Sequence, residues 1–238
     1  MRPPMPLPQT QRYSCQSCVT AQARWMLGLS DATGRAAIRE ADHLTGRREG
    51  RPVSATFSVP PLLAAGCEVI RYGKPDMDLD RLRRDGLACF REYYADDWTD
   101  GDDDEFWTPR RLAAYAARVR RELSALAEAR ARYPGMLAEA GCWFTIADAD
   151  SLLAGGYVIM TTYVPDDAAP DSCHATLLTG RESDAHGEIY NAYDPGFGWD
   201  GLMFFRREQF AGMIRPYAYA IRRVLVTAGR TKSLAAVR

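Results

Sequence analysis

The sequence holds no apolar run near the length a membrane helix needs, about 18 residues. It also lacks the basic stripe that would neutralise phosphates. Its 30 Lys and Arg stand against 31 Asp and Glu, a formal net charge of −1. The first absence argues against a membrane protein and the second against a nucleic-acid partner. The arginines between 110 and 132 are interleaved with alanine, leucine and glutamate, so they read as a solvated helix face. The proline-rich residues 1–8 have no apolar core of the kind a secretory leader carries, which predicts a cytoplasmic setting. Cysteine is sparse, with six residues at 15, 18, 67, 89, 142 and 173. In a reducing compartment these are thiols, most of them small core residues. Histidine is sparser still, with only His43, His174 and His186.

What is present follows an α+β order. Helical spacing runs over residues 15–29, with Ser14 at the N-cap position, and again over 32–44 and 54–65. Residues 67–72 read as a short strand and 78–85 as a helix. Pro109 opens a long helix to Arg132, stopped by Tyr133, Pro134 and Gly135. The last third changes character: a short helix at 146–153, then strands at 157–164, 174–180 and 188–194. A fourth strand starts at 203, a short helix covers 208–214, and a final strand covers 218–226. Helices first and an antiparallel sheet after them predict one domain over 1–228, with an enlarged helical insertion at about 45–140 and a disordered tail at 229–238. The acidic run 96–105 lacks the glycine and terminal glutamate of a calcium loop and reads as a solvated loop, so no metal or cofactor is expected.

The chemistry-bearing residues fall in an order. Cys15 stands at the start of the first helix, where unpaired N–H groups and the helix dipole favour a thiolate. His174 opens an apolar strand. His43 and His186 lie in charged or turn segments and read as exposed. Asp194 ends the next strand, and the turn between the two strands brings it toward His174, where a carboxylate would fix the imidazole tautomer. The same Asp-Pro-Gly triplet is also ordinary turn chemistry. Gln9 precedes Cys15 by five intervening residues, and its amide together with the Cys15 N–H would supply donors for an oxyanion.

The segment from Gln9 to Ala21 resembles the start of papain-like peptidases of the bacteriocin-processing, double-glycine type. That family has a glutamine, five residues, and a cysteine that opens a helix, then a histidine opening an apolar strand that ends in glycine, then Asp-Pro. His174 to Gly180 and Tyr193-Asp194-Pro195 are similar to those later elements, and Gln16 stands where many members have glycine. The resemblance implies a papain-like fold and a Cys15–His174–Asp194 triad with Gln9 at the oxyanion. It further implies cleavage of a peptide or amide bond, or acyl transfer through a Cys15 thioester. The implied partner is a peptide or acyl-thioester substrate, free or carried on a protein.

Rival readings remain at this point. Cys18 is an alternative nucleophile, although six residues before it stands Arg12 rather than glutamine. Cys15 and Cys18 could serve as a redox or zinc pair, but no strand precedes them, and the adjacent Cys173 and His174 point to opposite faces of a strand. A non-catalytic binding module built on the same shell is a further alternative.

Overall fold

Strand residues that alternate between two hydrophobic clusters fix the architecture. Val158 and Met160 belong to one cluster, while Ile159 and Tyr163 belong to the other. Tyr219 and Ile221 likewise face one side, and Ala218 and Ala220 the other. A sheet with two apolar faces needs cover on both, and helices supply it. In the computed structural model of the protein, which describes residues 1–5, 7, 9, 14–49, 51–73, 76–93, 107–163, 174–196 and 201–224, these elements form an open, mostly antiparallel α+β sheet with helical cover.

Helices α1 (Cys15–Met26), α2 (Gly34–Thr45), α3 (Val59–Ala64) and the end of α6 (Pro109–Arg132) bury one face. Helices α7 (Ile146–Ala154) and α8 (Arg207–Met213) bury the other. The strands are β1 (Cys67–Tyr72), β2 (Leu137–Glu139), β3 (Val158–Tyr163), β4 (His174–Asp184), β5 (Gly187–Tyr193), β6 (Leu202–Arg206) and β7 (Ile214–Arg223). Their spatial order is β2-β1-β7-β3-β4-β5-β6, and among the described residues only the β1/β2 pair is parallel. The last strand among the described residues, β7, therefore lies inside the sheet, between β1 and β3.

The stretch 45–140, expected as a helical insertion, is not wholly helical. It contributes β1 and β2 to the sheet, and β1 pairs along its length with β7. Another part of it makes a small core of its own. Helices α4 (Leu79–Asp85) and α5 (Leu87–Tyr93) pack Leu82, Cys89 and Phe90 against Met77 and Leu112. Phe90 lies 4.3 Å from Trp107 and 5.1 Å from Tyr115, centroid to centroid. The acidic run 96–105, Cys173 and the tail 229–238 lie outside the described residues. Among the described residues no helix is long and apolar enough to cross a membrane.

The N-terminal segment is laid along α1. Met5 and Leu7 are buried. The Arg2 main chain donates to the Met26 carbonyl at 2.9 Å, and Trp25 Nε1 donates to the Pro3 carbonyl at 2.9 Å. At the other end, the Leu7 carbonyl accepts the Tyr193 hydroxyl, and Gln9 N–H donates to the Pro195 carbonyl at 2.8 Å. The segment therefore runs from the C-terminal end of α1 to the turn after β5.

Candidate active site

Cys15 is the first residue of α1 and is half-buried against the α1-side core. Ser14 occupies the N-cap position, yet its side chain does not cap the helix. Its backbone, at φ −97° and ψ 4°, departs from the extended conformation that aims an N-cap hydroxyl at the next amides. Ser14 Oγ lies instead 4.0 Å from Cys18 Sγ. No acidic side chain sits in the first turn of α1.

Cys18 is a different thiol. It is fully buried, and that burial pushes its pKa up to about 12. A thiol so reluctant to ionise is a poor nucleophile and a poor thiolate ligand. The two cysteines one turn apart therefore divide into a partly accessible sulfur at a helix tip and a core sulfur. Among the described residues, no group of three or more His, Cys, Asp and Glu side chains is arranged to hold a metal ion.

His174 is the first residue of β4 and pairs in register with Tyr163 at the end of β3. His43 and His186 are exposed. Asp194 follows β5 directly and has no solvent exposure. Its Oδ1 lies 3.7 Å from His174 Nδ1, and the carboxylate raises the histidine's pKa above its ordinary value against the opposing effect of burial. The same Oδ1 accepts the Gly196 N–H at 2.6 Å, so the Asp-Pro-Gly triplet is both a turn and a carboxylate facing the imidazole. Oδ2 accepts the Tyr163 hydroxyl at 2.5 Å. The Asp194 main chain donates to the Gly201 carbonyl at 2.7 Å.

Two of these residues escaped sequence reasoning. Tyr163 reads as one more aromatic in an apolar strand, and nothing in its spacing marks the hydroxyl. Gly196 carries a readable hint as the third residue of Asp-Pro-Gly, but not its second role. A Cβ at Gly196 would stand 2.9 Å from His174 Cε1 and 3.0 Å from Nδ1, so the ring rests against the glycine.

Gln9 is half-buried, and its main chain is tied to Pro195, next to Asp194. Residues 10–13, which link it to α1, lie outside the described residues. Helix α1 packs across β4 and β3, and Cys15 joins the cluster that contains Ala175 of β4 and Tyr193 of β5. The four residues singled out by sequence thus fall on α1, the start of β4, the turn after β5, and the segment pinned to that turn.

No family model matches the chain, and no curated protein is significantly similar to it in sequence.

Proposed function

We propose that the protein is a papain-like cysteine enzyme that cleaves a peptide or amide bond through Cys15, His174 and Asp194. The observation that carries this reading is the His174–Asp194 pair, 3.7 Å apart, with the aspartate wholly buried and bonded through both oxygens. Burying a carboxylate is costly unless it is hydrogen-bonded, and this one is held by a donor on each oxygen so that it faces an imidazole at a strand's open end. The resemblance of the Gln9–Cys15, His174 and Asp194 segments to double-glycine peptidases supports the same reading.

The chemistry runs in two steps. His174 accepts the Cys15 proton, and Asp194 stabilises the imidazolium that results. The sulfur then bonds to the substrate carbonyl carbon. Negative charge develops on the carbonyl oxygen, and Gln9 with the Cys15 N–H supplies donors to it. The carbon–nitrogen bond breaks, and His174 returns its proton to the departing amine. In the second step His174 takes a proton from water, the hydroxyl oxygen attacks the thioester carbon, the carbon–sulfur bond breaks, His174 returns the proton to Cys15, and the acid leaves. An amine acceptor in place of water gives acyl transfer with the same residues.

The test uses iodoacetamide across a pH series, read peptide by peptide in a mass spectrometer. The exposed Cys142 serves as the reference thiol. Cys15 is expected to alkylate well below about pH 8, where an ordinary thiol is slow. His174→Ala should move the Cys15 profile up toward that of Cys142. A Cys15 profile that matches Cys142 in the unsubstituted protein overturns the proposal.

A further inference from the structure

We propose that Tyr163 is a positioning residue for the His174–Asp194 pair, its hydroxyl holding Asp194 Oδ2 so that Oδ1 faces the imidazole. This deepens the functional reading above and rests on it, since it takes Asp194 to be the group that orients His174.

The geometry is set by strand pairing. Tyr163 and His174 are register partners on β3 and β4, and their rings lie 6.2 Å apart. One antiparallel pair therefore places the base beside the group that holds the base's carboxylate. Asp194 arrives from β5, the other neighbour of β4. Its two oxygens are then met by different donors, the Tyr163 hydroxyl at 2.5 Å on Oδ2 and the Gly196 N–H at 2.6 Å on Oδ1.

Two donors on two oxygens fix the rotation of a carboxylate about its Cβ–Cγ bond. One donor leaves that rotation loose, and the carboxylate can turn away from Nδ1. The Gly196 N–H alone cannot lock it, because it shares Oδ1 with the imidazole. The hydroxyl, by contrast, engages the oxygen that the imidazole does not use.

The phenol itself is held firmly. Tyr163 is 1% exposed, and its ring packs edge-on to Phe205 at 5.1 Å and near Phe210 at 6.4 Å. Met203 Sδ, 3.9 Å from the hydroxyl, completes its surroundings. Burial raises the phenol's pKa, and the neighbouring Asp194 raises it further, so the group remains a donor through the range where His174 titrates.

The experiment follows the ¹⁵N-labelled imidazole rings by NMR against pH in the full chain. Three histidines make the spectrum assignable by single substitution. Tyr163→Phe keeps the ring and removes only the oxygen, and a melting curve checks that the variant is folded. The expected result is that the pKa of His174 falls toward its ordinary value by about half a pH unit or more, while His43 and His186 do not move. In an Asp194→Asn background the same substitution should move His174 no further. A His174 titration that stays or rises in Tyr163→Phe overturns the proposal, as does a shift that persists undiminished without the aspartate. Cys15 alkylation in the unsubstituted protein separates the two readings. If Cys15 is reactive while Tyr163→Phe leaves His174 unmoved, only the role of Tyr163 fails.

Discussion

A carboxylate out of reach of water needs its oxygens met by donors, and Asp194 has one donor on each oxygen and faces an imidazole. The pair also carries a pH signature. His174's pKa is raised in the fold, so the stability it draws from Asp194 is fully present below the unfolded histidine value, about 6.5. It is lost as pH rises through the higher folded value. Melting temperature should therefore decline over the range just above pH 6.5, and Asp194→Asn should remove that decline. A second residue-scale prediction concerns Gly196, where any Cβ meets the imidazole. Gly196→Ala should slow Cys15 alkylation about tenfold, equivalent to about 1.4 kcal/mol, with stability reduced by about 1–3 kcal/mol. Parallel alkylation and melting measurements check both parts. The catalytic candidates were legible because cysteine and histidine are few, and because Gln9, Cys15, His174 and Asp194 occur in a spaced order. Tyr163 was not legible, because the same pattern that assigns a tyrosine to a strand core is silent about what its hydroxyl meets.

At the scale of elements, the strongest sequence signals were terminal ones. Pro109 and the stop at Tyr133 bracket α6 as expected, with Thr108 Oγ1 accepting the Arg111 N–H at 3.3 Å. The strand at 67–72 and the start of β4 at His174 also lie where alternation and β-branched composition put them. The elements that were missed are short. β2 has three residues and exists through its parallel pairing with β1, and α5 is seven residues long, packed on a local core after Gly86. Local pattern does not encode a partner that lies far along the chain. The Ser14 N-cap failed in a specific way, because its hydroxyl turns to the Cys18 sulfur rather than to the amides. Helix α7 shows the contrasting case, where Thr145 and Asp148 cap each other reciprocally. Thr145→Ala should cost about 1 kcal/mol in a denaturant titration without altering Cys15 reactivity, since α7 lies on the far face of the sheet.

Across the whole molecule, the sheet is held together by long-range polar ties as well as by pairing. Glu68 of β1, buried, accepts the Tyr157 hydroxyl at 2.6 Å and Arg222 Nε of β7 at 2.6 Å. The Arg222 guanidinium in turn lies 4.5 Å from the centre of the Tyr157 ring. Glu68→Ala leaves a guanidinium and a phenol without their shared acceptor and should lower stability by about 2 kcal/mol, read as a lower denaturant midpoint. The overall α+β class and the order of most elements could be read from the sequence. The order of strands in space could not, because it depends on which distant segments meet. That order has a consequence for synthesis. Strand β7, the last in chain order among the described residues, is flanked by β1 on one side and β3 on the other. Until its ten residues leave the ribosome, the strands already made can form only two separate half-sheets with facing bare edges. Co-translational folding should therefore pause at a divided intermediate until β7 has emerged.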